Sequence, residues 1–388
     1  MSTAPEKKPS KIKVFLKSAA LILPMFLIGA LIGIIGAESL LNVIGTDDFG
    51  QYLLGVGWLL LCFYLSYVLQ IILHEGGHLV FGLLSGYRFV SFNVMGFIWQ
   101  KGADGKLRFG RMQIAGAGGQ CLMAPPEYNG GNFPFTLYNL GGAAMNLIVS
   151  ALCLVVALVF RQAVYLYILM MCMVLIGVFF AIMNGVPLPV PSIQNDGTNL
   201  LCIRRDMNAR RAFWVQMNVA AEQAQGKLPS DMPEEWFAPL PEEAMDNPIV
   251  CTIAVMNTDR LMSSLSFTQA EAAIRKLLAR KKGVLGLYRM SMSCDGATCE
   301  LLDGRPGDLC ESLSSKENQQ MMKAMKTNPS ILRTQYALAL LKDRDADKAA
   351  KALAEFDKAA PQYPYQQTIA VERQILLAIQ NAALRQEA

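Results

Sequence analysis

Histidine is nearly absent. Only His74 and His78 occur in 388 residues, so no third imidazole exists to complete a metal site or to act as a separate acid or base. Charge is scarce too. Asp, Glu, Lys and Arg make up 17% of the chain, against about 25% in soluble globular proteins. The shortage is local: residues 18–37, 52–73, 133–160 and 162–195 carry no charge at all. Each run reaches the roughly 20 apolar residues that cross a bilayer, which excludes a wholly soluble protein. The nine cysteines contain no C-x-x-C pair, and Cys294 and Cys299 are the nearest two. That pattern argues against a disulfide framework.

The chain therefore reads as a membrane protein with a soluble C-terminal half. Four spans are expected, at about 15–36, 52–84, 135–160 and 163–181. The first is read as retained rather than cleaved: its apolar core exceeds a signal-peptide h-region, and Pro24 lies within it. The first seventeen residues hold Lys7, Lys8, Lys11, Lys13 and Lys17, and the connection after the span has no Lys or Arg. Arg88, Lys101, Lys106, Arg108 and Arg111 follow the second span, Arg161 alone follows the third, and Arg204, Arg205, Arg210 and Arg211 follow the fourth. This alternation places both termini in the cytoplasm. The net charge of +4 then reflects topology, and no nucleic-acid partner is expected.

The expected organisation is a basic tail (1–14), a transmembrane domain (15–203) and a cytoplasmic helical domain (204–388). The fold class is mainly α: a polytopic helical bundle with a short membrane-associated β-hairpin, then an all-α domain. The hairpin is expected within 88–120, as two apolar segments on either side of a tight turn at Asp104-Gly105. Pro187, Pro189 and Pro191 stop the fourth helix and make the chain extended. Helical periodicity marks 267–281 and 333–364. In the latter, Ala352, Phe356, Ala359 and Pro364 stand where a tetratricopeptide repeat places its alanine, aromatic, alanine and proline. A weaker helical hairpin is expected over 287–309.

Both histidines lie in the second apolar run, within "IILHEGGHLV". Side chains at i and i+4 share a helix face, so His74 and His78 can hold one zinc ion. Glu75, beside the first, is placed to take a proton from water that zinc has acidified to a pKa of about 7. This is the H-E-x-x-H pattern. A glutamate in an apolar span costs several kcal/mol without a partner or cavity, which two core histidines and an incidental Glu do not explain. Hydrolytic zinc sites usually have three protein ligands. The third must here be carboxylate or thiolate. Asp196, at the expected depth after the proline run, is the first candidate, and Asp104 and Glu127 compete with it.

With "HEGGH" in one span, "GAAMN" (residues 142–146) in the next and "NGVPLPVPSIQNDG" in the last, the chain resembles the site-2 protease family of intramembrane zinc metallopeptidases. The resemblance covers about residues 50–202. It implies Glu75 as general base, His74, His78 and Asp196 as zinc ligands, and substrate contacts at Asn146 and Asn184. It further implies a hairpin able to hold substrate as an added strand, and a multi-pass location in a bacterial plasma membrane. The substrates it implies are single-pass transmembrane proteins or membrane peptides such as remnant signal or pheromone precursors. The family's pattern is Asn-x-x-Pro-x-Pro-x-Leu-Asp-Gly. Here the stretch from Asn184 to Asp196 is longer, and Asn195 stands in place of the leucine. Two other readings compete. One is a catalytically silent scaffold whose residues 204–388 bind a cytoplasmic partner. The other is a metal transporter, which the lack of further His, Asp or Glu in the spans disfavours.

Overall fold

The computed structural model describes residues 30, 34, 49–112, 118–187, 194–238 and 240–387. The expected basic tail and most of the first span lie outside these, as do Pro189 and Pro191.

Among the described residues the chain is mainly helical, with one small sheet. Three helices are long and apolar enough to cross a membrane: α1 (Phe49–Leu84), α2 (Thr136–Val159) and α3 (Val164–Gly185). They coincide with the second, third and fourth expected spans. At 1.5 Å per residue, α1 is about 54 Å long and runs without a break through "HEGGH". Helix α3 continues past the expected stop near 181. Its last residue is Gly185, and Val186 is extended (φ −86°, ψ 131°), because a residue preceding proline is pushed out of the α region.

The expected hairpin is part of a larger unit. Strands β1 (Arg88–Val94), β2 (Phe97–Lys101), β3 (Leu107–Arg111) and β4 (Gly119–Ala124) form an antiparallel sheet in the order β3-β2-β1-β4. The Asp104-Gly105 turn joins β2 to β3, with Gly105 at φ 75°. A second turn, at Met95-Gly96, splits the segment read as one. Both residues have positive φ, 50° and 85°, as a two-residue primed turn requires.

The chain divides into two compact units, and the division falls inside α1 between Gly77 and His78. In the first (described residues 49–77 and 141–186), Cys62, Ile168, Cys172 and Ile176 form the buried apolar cluster, and the Trp58 ring meets Tyr165 edge-on at 5.6 Å. The second holds the sheet and everything after Pro187. The sheet therefore groups with the C-terminal part and with the adjoining ends of α1 and α2. Packing explains this. Helix α4 (Asp196–Arg205) leads into α5 (Met207–Ala224). Ala221 and Ala224 of α5 bury Val90, Leu122 and Ala124 of the sheet. Gln100 Nε2 donates to Ala224 O at 2.7 Å.

Beyond α5 come α6 (Pro248–Ser263), α7 (Phe267–Leu278), α8 (Gly286–Leu302), α9 (Asp308–Ser312), α10 (Lys316–Ala324), α11 (Pro329–Ala337), α12 (Ala346–Ala359) and α13 (Gln366–Glu387). The periodic stretch 267–281 is thus helical to Leu278, and 333–364 forms two helices, the first ending in a π-helical turn at 338–342 and the second beginning after a break at 343–345. Phe356 is fully buried between its neighbours.

Candidate metal centre

The site is built on α1. His74, Glu75 and His78 are all buried, at 8%, 7% and 7% exposure. Such burial of three polar groups in one turn demands partners. The glycines of the neighbourhood make the close packing. A Cβ on Gly77 would stand 2.2 Å from Gly141 O, and one on Gly142 would stand 2.5 Å from the His74 ring. Gly76, in contrast, faces open space.

Each histidine has its Nδ1 committed. His78 Nδ1 lies 2.7 Å from Tyr138 O. A backbone carbonyl only accepts, so that nitrogen carries the hydrogen. His74 Nδ1 lies 2.7 Å from Asn146 Oδ1. The Asn146 orientation follows from its other end, where Nδ2 donates to Gln70 O at 3.0 Å and to Gln70 Oε1 at 2.6 Å. With both Nδ1 atoms donating, the neutral rings present Nε2 lone pairs. This is how partners of ligating histidines set the tautomer.

Asp196 is the first residue of α4. Asn195 is its N-cap, accepting from Thr198 N at 3.0 Å. The asparagine that departs from the family pattern thus has a local use: it starts the helix that carries the carboxylate. Asp196 Oδ2 stands 3.4 Å from His78 Nε2. One ligand atom from each of His74, His78 and Asp196 lies within 4.8 Å of the others. Two atoms bound at about 2.0–2.1 Å to one tetrahedral zinc stand about 3.3–3.4 Å apart. The donor set of two imidazole nitrogens and one carboxylate oxygen, with its spacing, fits a divalent cation.

Of the other expected residues, only Asn146 is bonded to one of these three side chains among the described contacts. Asp104 is exposed in the β2–β3 turn, where it accepts from Lys106 N and Arg108. Its hydrogen bond with the Lys106 amide, aided by Arg108, holds its carboxyl below the usual range. Glu127 is exposed in the loop after β4. Asn184 donates to Phe180 O, four residues back in its own helix, at 3.0 Å. Asn146 is fully buried and bonded to His74 and Gln70, a position that suits it to orient the ligand. Gln70 and Tyr138 were not singled out from sequence. Gln70 was in principle readable, because it sits four residues before His74 on the same face. Tyr138 was not, because it contributes its main-chain oxygen.

No family model, curated protein or solved structure matches this chain.

Proposed function

We propose that the protein is an intramembrane zinc-dependent endopeptidase of the site-2 protease type. The observation that carries this reading is the convergence of Asp196, from α4, with His74 and His78 of α1, the helix that also bears Glu75, in a chain with three apolar helices of spanning length. Zinc held by these three side chains supplies Lewis acidity, making water a much stronger acid and polarising a peptide carbonyl.

The residues then divide the work. Asn146 and the Tyr138 carbonyl fix the two imidazoles. Glu75, next to His74 and shielded from bulk water, accepts the proton of the attacking water and passes it to the leaving amine. A substrate helix hides its own carbonyls in hydrogen bonds, so it must unwind locally before attack. The β-sheet has edge strands, β3 and β4, that hold it extended. On this reading the substrates are single-pass membrane proteins or membrane peptides. The chain is multi-pass, with four spans and both ends cytoplasmic, and residues 204–388 form a tetratricopeptide-like domain that presents substrate or binds a partner.

The test uses full-length protein in detergent. Metal analysis of the wild type should return about one zinc per chain, lost in His78→Ala. Glu75→Gln should keep the zinc and cleave a helical membrane reporter about 10²- to 10⁴-fold more slowly, the usual range for a general base. Equal cleavage by wild type and Glu75→Gln would sink the proposal. A wild type without zinc and indifferent to chelators would favour a scaffold.

A further inference from the structure

A polar stripe runs down α1 away from the metal centre. Ser66, Gln70 and His74 are spaced four residues apart, and Ser66 and Gln70 are wholly buried. A buried amide in an apolar helix needs hydrogen-bond partners. Gln70 is bonded at every polar atom of its side chain. Its Nε2 donates to Met173 O of α3 at 2.8 Å, and its Oε1 receives Asn146 Nδ2 at 2.6 Å.

The direction of these bonds is determined at one end. Met173 O can only accept, so the Gln70 amide nitrogen must point to it and Oε1 must point to Asn146. Oε1 can only accept, so Asn146 must turn its nitrogen to Gln70 and its oxygen to His74. That oxygen can only accept, so His74 carries its hydrogen on Nδ1 and keeps the Nε2 lone pair. Backbone chemistry on α3 thus selects the tautomer of a side chain on α1.

A bare stretch of α3 admits this chain. A Cβ on Gly177 would lie 2.5 Å from Gln70 Nε2 and 2.2 Å from Ser150 Oγ. Gly177 is one turn beyond Met173 on the same helix, so its lack of a side chain leaves the Met173 carbonyl open to Gln70.

We propose that Gln70, admitted by Gly177, is a positioning residue that sets the ligating tautomer of His74 through Asn146. This rests on His74 being a metal ligand, as proposed above. Gln70 is outside the His74, His78 and Asp196 group, and its effect passes through one amide.

The experiment measures zinc affinity by competition with a chromophoric chelator, and the visible absorption of the cobalt-loaded protein, on full-length variants in detergent. Gln70→Met should weaken zinc binding about 10- to 100-fold, as loss of a partner behind a ligating histidine does, and should change the cobalt spectrum. Gly177→Ala should shift both readouts in the same direction from the opposite helix. Asn146→Leu should weaken binding at least as much. Adding Gln70→Met to Asn146→Leu should then cost little more, since both cut one chain. Ser66→Ala, one turn further along and with no hydrogen-bond partner for its Oγ among the described residues, should bind zinc as the wild type does. Wild-type affinity and spectrum in both Gln70→Met and Gly177→Ala would overturn the proposal. So would fully additive losses in the double variant, which would mark Gln70 as ordinary packing. A wild type that binds no zinc would instead overturn the metal reading itself.

Discussion

His74 owes its place to a missing side chain. A Cβ at position 142 would overlap its ring at 2.5 Å, and both residues lie within long helices, α2 and α1. Gly142→Ala should therefore displace the imidazole and lower zinc affinity about 10- to 100-fold, as disturbed ligand support typically does. Equilibrium competition with a chelator checks it. Asp196→Asn should also release zinc, because an amide oxygen is a far poorer donor than a carboxylate, and metal analysis after dialysis reads the loss. The H-E-x-x-H pattern was legible at this scale, since its chemistry depends on local spacing alone. The supports were less so. Nothing in the order of residues pairs Asn146 with His74 or the Tyr138 carbonyl with His78, because those bonds join helices distant in sequence.

Elements carry strain and buried charge of their own. Met95 holds φ at 50° in the β1–β2 turn, a region that costs side-chain-bearing residues about 1–2 kcal/mol. Met95→Gly should stabilise the sheet by roughly 1 kcal/mol, measured as a higher denaturation midpoint. Asp104-Gly105 was legible as a turn because both residues favour it. Met95-Gly96 was not, because a methionine inside an apolar run reads as strand. In the C-terminal helices, Arg333 of α11 is almost fully buried. It donates to Glu372 of α13 at 2.9 Å, to Asp295 of α8 at 2.5 Å and to Thr298 at 2.7 Å. Removing one partner of a buried ion network strands the others, so Arg333→Met should cost about 3–5 kcal/mol in chemical denaturation.

Glu300 ties α8 to α9 by accepting from the amides of Gly307, Leu309 and Cys310 at 2.9, 3.2 and 3.0 Å. Burial opposes its ionisation, yet these amides prevail and hold its carboxyl below the usual range. The unfolded chain binds that proton at higher pH. The stability from this bond set is therefore present above the ordinary glutamate pKa of about 4.3 and lost as pH falls through the depressed folded value. Thermal melts from pH 7 to 3 should show a steeper fall for the wild type than for Glu300→Gln.

At the scale of the molecule, a metal that binds only the folded chain adds stability by mass action. Zinc at a thousandfold excess over its dissociation constant should contribute about 4 kcal/mol, and a chelator should lower the melting temperature accordingly. Three apolar helices of spanning length, the helical C-terminal part and the histidine pair were determined by the sequence alone. All three follow from local composition and from periods of a few residues, which need no distant partner. The tertiary structure decided the rest: that Asp196 and not Asp104 or Glu127 stands beside the histidines, that the sheet buries its inner face on α5, and that Asn146 turns toward His74. These depend on which surfaces exclude water together and on where a glycine lets two helices approach. Such facts are set by packing between segments far apart in the chain, and no spacing within one segment encodes them.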